Sequence, residues 1–417
     1  MRLTTLFQPK YAWAFAILLA GLLLLIGEII NDRFWMHDLE VYYKTAERML
    51  RGSEIYRIAS DGHYVYKYSP TAGLYFIPFT LVPFAAAKIV YWLLLVLLAI
   101  VVLHFLFQLA APSDQKFTVR QKNTVLLLSF LAVGAHVHRE WHLGQVNFVL
   151  LALYVVVVLL WKNNRPVAAG VVLAASIFIK PFGFILLPYL LLKKRFDMLA
   201  STATAIVLLG LLPFLFYPSA EAFAALYKGW LQELVLEMNA KQELLKSGNH
   251  TIFSVLARYT PIQYLLQSDA AIKVYQVVVL ALIGGFVLYF VRAGEKLKNN
   301  FVSDVALLVA LIPLFAVTSL NAFLFALPCM VVVLSNYAEL NKVAKVLAVA
   351  GCVLVGINIR DLMGGDLYRL LESLSIYTLG TVALLGALTI LRLRRSRHPR
   401  LAEMQPRRNK DLAGQFK

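Results

Sequence analysis

The chain has 417 residues, of which 60% are hydrophobic and only 15% charged, and its formal net charge is +17. A water-soluble domain holds about 25% charged residues, so this composition excludes an ordinary soluble enzyme. The positive charge excludes nucleic acid as a partner by its placement: the basic residues sit in short loops between apolar runs and at the C-terminal end, as in loops that face anionic lipid, and no basic stripe with interleaved aromatics lies on a soluble segment.

The apolar runs predict an all-α, polytopic membrane protein. Tyr11 to Ile30 is twenty residues with one charge, Glu28, at its end. That length crosses a hydrocarbon core about 30 Å thick as a helix. No small-residue cleavage site follows it, so it is read as a retained helix rather than a signal peptide. Further helices are predicted near 84–110, 124–138, 145–161, 166–180, 182–193, 197–217, 272–292, 302–318, 320–337, 343–359 and 375–393, about twelve crossings with the first. The basic loops place both termini on the cytoplasmic side of an inner membrane and leave outer loops at 31–70 and 218–271. Residues 1–393 are read as one domain and 394–417 as a basic cytoplasmic tail. Cys329 and Cys352 fall inside predicted helices, which argues against a disulfide framework.

The first outer loop carries the densest polar signal. In residues 37–51 the apolar positions 39, 42, 43, 46, 49 and 50 share one helical face, so a short amphipathic helix lying on the bilayer surface is predicted. Asp38 opens it. Two readings stand: an N-cap that accepts from the first backbone N–H groups, or a general base at the membrane surface. His37 is a poorer capping residue. Tyr64, Tyr66 and Tyr68 alternate on an extended stretch, either as interface anchors or as a platform for sugar rings, with Lys67 beside them to meet a phosphate. Residues 70–83, bracketed by Pro70, Pro78 and Pro83, are too short to span comfortably and predict a re-entrant or tilted segment.

Residues 136–147 hold three histidines and Glu140, but at no metal-protease spacing, so no metal is expected. Gln145 and Asn147 read instead as hydrogen-bond partners lining a polar pocket. Lys180 ends an apolar run before Pro181. It is either a snorkelling lysine or an ionisable group facing a polar cavity.

Several of these segments resemble, in order, the sequences of glycosyltransferase family 87. They are His37-Asp38-Leu39-Glu40-Val41-Tyr42-Tyr43, Ala46 to Gly52 with Tyr56, and Tyr66-Lys67-Tyr68-Ser69-Pro70. Next come Gly144-Gln145-Val146-Asn147, then Ala169-Gly170-Val171 through Lys180-Pro181 and residues 190–195, and Gly248-Asn249-His250-Thr251-Ile252-Phe253 through Arg258. The chain departs from the family pattern in having Ser69-Pro70 after the tyrosines and in lacking a Trp and His near 318–323.

The resemblance implies a multi-spanning helical bundle of the glycosyltransferase type called GT-C. It also implies a sugar donor on a polyprenyl phosphate (mannose the first choice), a lipid-linked or glycan acceptor, and inverting transfer at the extracytoplasmic face without a cofactor. Carried over, Asp38 is the general base. By their placement at outer helix ends and loops, Lys67, Lys180, Arg258 and Arg139 are expected to meet the donor phosphate, and Tyr66, Tyr68, Gln145, Asn147, Asn249 and His250 to line the substrate site. The rival expectation is a transporter or flippase of lipid-linked intermediates, which needs polar groups along a midplane path.

Overall fold

The computed structural model describes residues 8–112, 116–240, 244–297, 299–316 and 319–397. Among these the regular secondary structure is entirely helical. The expected tail from residue 398 onward lies outside the described residues. Residues 394–397 of that expected segment continue the last helix, α18 (Ile376–Arg397), in which Arg392 is buried against Asp304 and Arg395 pairs with Glu339 at 2.7 Å.

The chain divides into two compact units. The first is built from residues 14–105 and 136–243. It holds α1 (Ala12–Ile30), α2 (His37–Leu50), α3 (Pro70–Leu74), most of α4 (Phe84–Ala110), and then, after α5 (Val119–Leu131) of the other unit, α6 (Gly134–Leu143), α7 (Asn147–Lys162), α8 (Pro166–Ile179), α9 (Leu186–Leu192), α10 (Phe196–Leu211) and α11 (Ala220–Ala240). The second is built from residues 8–13, 106–135 and 244 onward. Besides α5 it holds α12 (Ile252–Tyr259), α13 (Asp269–Ala293), α14 (Asn300–Phe315), α15 (Leu327–Ser335), α16 (Lys342–Gly356), α17 (Arg360–Ser373) and α18 (Ile376–Arg397).

α1 shows why these helices suit lipid. Leu19, Leu23, Ile26 and Ile30 form an exposed apolar stripe at helical spacing, whereas Trp13, Ile17 and Leu25 face protein. An exposed stripe of this kind is tolerable only against hydrocarbon. Among the described residues, five helical segments are long and apolar enough to cross a membrane alone: Pro9–Ile30, Phe84–Ala110, Phe196–Leu215, Asp269–Ala293 and Ile376–Arg397. α6 and α7 qualify only as a pair, bent by 115°.

The other expected crossings are shorter apolar helices, such as Pro166–Ile179, Asn300–Phe315 and Leu320–Ser335. They fall below the ~20 residues that a bilayer demands of a lone helix. α14 and residues 320–333 are buried on almost every side, so they need not match the lipid. In the second unit α16 packs along α18. A Cβ on Gly351 would lie 2.8 Å from the carbonyl oxygen of Gly380, so the two backbones touch where small residues permit it.

The segments expected to be outer loops are largely helical as well. α2 forms where the periodicity places it and buries Leu39, Tyr42, Ala46 and Met49. Residues 70–83 form two single-turn helices, Pro70–Leu74 and Ile77–Leu81, rather than one rod, because proline at the first turn of each starts a helix that the next proline stops. The second expected outer loop, 218–271, holds α11, a 21-residue helix, followed by α12.

Candidate active site in the first unit

Asp38 is the second residue of α2 and is not its cap. Met36 precedes the helix in a left-handed conformation (φ 51, ψ 50), and no side chain caps the N-terminus. The carboxylate is therefore available for other work while keeping the favourable field of the helix start. Its partner comes from the bend between α6 and α7, where Gln145 Nε2 donates to Asp38 Oδ2.

Gly144 makes that meeting possible. It has φ +69, and a Cβ there would lie 2.9 Å from Leu39 Cβ and 3.3 Å from the Leu39 backbone nitrogen. Only glycine adopts this turn and lets it rest on α2 at such range.

Lys180 arrives from the opposite direction. Pro181 disfavours helical geometry in the residue before it, so α8 ends at Ile179 and Lys180 is extended (φ −142, ψ 136). Its Nζ donates to Asn147 Oδ1 at 2.8 Å and lies 5.7 Å from the ring centres of both Tyr68 and Phe182. Burial pushes the Asp38 carboxyl above its ordinary pKa of 3.8. Lys180, the Gln145 hydrogen bond, His37 and Lys67 pull it down, in that order of weight.

Two phenols back the carboxylate. Tyr42 and Tyr68 share a 3.0 Å hydrogen bond, and burial together with the negative charge of Asp38 raises both pKa values, so both stay neutral. Lys67 is exposed and pairs with Glu237 of α11 at 2.5 Å. Arg139 is exposed on α6. Tyr66 is 2% exposed and gives its hydroxyl to the Ser69 carbonyl at 2.8 Å, so it is a core residue with no ring face to offer a sugar. Tyr68, two residues on, is half-buried.

The histidines of α6 do not converge on a shared metal position. His138 and His142 both bond Glu28, at 3.2 and 2.8 Å, and among the described residues no group of three His, Cys, Asp or Glu could hold an ion.

Asn249, His250 and Arg258 belong to the second unit, where their polar groups serve one another. Asn249 Oδ1 accepts from the Thr251 N–H and hydroxyl at 3.1 and 2.8 Å. Arg258 donates to Ser254 Oγ, the Ser373 carbonyl, the Asn249 carbonyl and Ser375 Oγ, so all three of its nitrogens are engaged. It is a tie rather than a waiting phosphate ligand. Ser375 Oγ, accepting from Arg258, also shares a 3.0 Å hydrogen bond with His250 Nδ1. Burial, with Arg258 nearby, lowers the His250 pKa to about 4.

Two residues of the first-unit cluster are not legible from the motifs. Tyr42 reads as one apolar position among several on α2. Glu140 reads as part of a histidine-rich helix, yet it is fully buried and accepts from Asn147 across the bend. Its only signal is the glycine at 144 that turns the chain back.

The comparisons with known proteins bear on this cluster. The model of glycosyltransferase family 87 matches residues 66–319, more than half of the chain. The match takes in Lys67, Gln145, Asn147 and Lys180, and begins after α2 and Asp38. No curated protein matches. Among solved structures, the crystal structure of ArnT from Cupriavidus metallidurans bound to undecaprenyl phosphate is similar at 12% identity, with 97% of this chain and 80% of that chain covered and a TM-score of 0.36. With a family match of this extent, the chain belongs to glycosyltransferase family 87 and is a multi-pass membrane glycosyltransferase.

Proposed function

We propose that this enzyme moves a sugar from a polyprenyl monophosphate to a hydroxyl of a lipid-linked or glycan acceptor at the extracytoplasmic face, with inversion at the anomeric carbon. Mannose is the first sugar to test. The reading places the inner-membrane protein with both termini in the cytoplasm, on the strength of its basic loops. In the transfer step the acceptor oxygen attacks the anomeric carbon as its proton passes to Asp38. The bond to the phosphate oxygen breaks, and polyprenyl phosphate leaves with the electron pair.

The observation that carries the reading is the pairing of an uncapped, partly buried carboxylate with an ammonium group. Asp38 is held by Gln145, and Lys180 is the strongest charge acting on it. A base and a phosphate-compatible cation in one place are what an inverting transfer needs. Lys180 meets the leaving phosphate, Lys67 is a second cation once it parts from Glu237, and Tyr68, Gln145 and Asn147 supply ring face and hydrogen bonds to the sugar. An ammonium can neutralise a departing monophosphate without a metal. Arg258, Asn249 and His250 act in this reading through the architecture of the second unit.

The test is to incubate the purified protein in lipid nanodiscs with radiolabelled polyprenyl-phosphate sugars and measure release of polyprenyl phosphate. Release that needs Asp38 and survives EDTA is the expected result. Movement of intact lipid-linked sugar across the bilayer with no bond cleaved would sink the reading.

A further inference from the structure

Asn147 sits between two groups with opposite hydrogen-bond demands. On one side Glu140 Oε2 accepts from the Asn147 backbone N–H at 3.0 Å, and Glu140 Oε1 accepts from the Asn147 side-chain nitrogen at 2.5 Å. On the other side Asn147 Oδ1 accepts from Lys180 Nζ at 2.8 Å. The two ends of a carboxamide are hard to tell apart by shape alone, but here the chemistry assigns them. An ammonium can only donate, so the amide turns its oxygen to Lys180 and its nitrogen to Glu140, the one permitted orientation.

Glu140 does more than cap α7. The same residue's carbonyl accepts from the Gln145 N–H at 3.0 Å, and the Gln145 carbonyl accepts from Tyr91 at 3.0 Å. The turn that presents Gln145 to Asp38 and Asn147 to Lys180 is thus held by a single buried acid. Glu140 and Asn147 are each fully buried, so no water competes for these bonds.

We propose that Glu140 is a positioning residue: by fixing which end of the Asn147 carboxamide faces Lys180, it holds the ammonium ready for the donor phosphate. The inference rests on the phosphate role given to Lys180 above. One ammonium proton stays on Asn147, which sets the direction from which Lys180 meets the ligand. A carboxamide at position 140 can offer only one acceptor. Its amino group would face a donor of Asn147, the Asn147 amide would turn over, and two donors would oppose each other at Lys180.

The polarity of this chain can be reversed, and that gives the test. In Glu140→Gln the chain is broken, and in Asn147→Asp two carboxylates face each other. In the double variant the introduced amide donates to the introduced carboxylate, whose other oxygen accepts from Lys180, while the amide oxygen still accepts the α7 N–H. Farnesyl phosphate serves as the probe, titrated against the purified protein in detergent. Each single variant is expected to bind it about tenfold more weakly, the usual scale for one charge-assisted hydrogen bond, and the double variant to return within about threefold of the parent.

Thermal melting of all four proteins is measured in parallel. A cap that is only structural would lose and regain stability in this series with no change in probe affinity, and that pattern overturns the proposal. So does a double variant no tighter than the weaker single one. If Glu140→Gln does not fold, the comparison of Asn147→Asp with the double variant still decides. Lys180→Met separates the two levels of the argument. Unchanged binding by it removes Lys180 from the phosphate site and takes the proposed function with it, whereas weakened binding without rescue by the double variant removes only the role of Glu140.

Discussion

The Asp38 cluster of the first unit and the Arg258 cluster of the second are made from the same kinds of side chain and do opposite things with them. Both centre on a strong cation beside hydroxyl and amide groups. Arg258 engages all three nitrogens with carbonyls and serine hydroxyls of its own unit. Around Asp38 the carboxylate caps nothing and accepts from Gln145, and the Lys180 ammonium, the strongest charge acting on it, donates to Asn147. A saturated guanidinium ties segments together, while a carboxylate that caps no helix, beside an ammonium, has the groups to exchange a proton and meet an anion.

The sharpest way to break this contrast is to remove the carboxylate. Asp38→Asn keeps the shape, and turnover should fall about a thousandfold, the mid-range for losing a general base. The melting temperature should stay near that of the parent. Parental turnover by this variant would make the first cluster as structural as the second.

Lys180→Met comes next. Its KM for the donor should rise about ten- to a hundredfold, the range for losing one charged hydrogen-bond partner. A pH profile adds a sign. Activity is lost on acidification as Asp38 takes up a proton, and that limb lies above the ordinary 3.8 because burial raises the group. Lys180 is the largest influence holding the pKa down, so removing it should move the acid limb to higher pH. A limb that stays still, or moves down, would mean that the two charges do not communicate. Lys67→Ala should shift it in the same direction by less, since Lys67 is the weakest of the four lowering influences. Its KM effect should be no more than about fivefold, because an exposed ion pair is worth little and Glu237 already shares the charge.

Much of the first cluster is visible in the sequence because its causes are local. The i, i+3, i+4 pattern of residues 39–50 fixes α2, and a proline after Lys180 fixes an extended residue at the end of an apolar helix. Gly144 marks a turn that other residues rarely adopt. What stays hidden depends on encounters between distant segments. The 115° bend that brings Glu140 onto Asn147 leaves no periodic trace, and whether Asp38 caps α2 is decided by the conformation of Met36. Arg258 looks like a phosphate ligand in sequence because its partners Ser373 and Ser375 lie more than a hundred residues away. The twelve expected crossings shorten for a related reason: α14 and the 320–335 segment are apolar because protein surrounds them, and composition alone does not tell protein from lipid.

The smallest effect sharpens the structural side of the comparison. His250 has a pKa of about 4, below the ordinary 6.5, because burial and Arg258 disfavour its charge. As pH falls below 6.5 the unfolded chain takes up this proton first, so the histidine's contribution to stability drains away between 6.5 and 4 and then levels off. The most it can lose over that window is about 3 kcal/mol. Asp38 works in the other direction, since a raised carboxyl pKa makes the folded state the better proton acceptor on acidification. The two are separated by comparing the parent with His250→Gln in detergent melts from pH 7 to pH 4. The variant should lose less of its melting temperature across the window, while its donor KM at pH 7 stays within about threefold of the parent, as expected for a residue that binds its own unit rather than the substrate. A parallel fall in both proteins would show that the His250 imidazole takes up its proton equally readily in the folded and unfolded chain, and burial in the second cluster would then not be what holds it neutral.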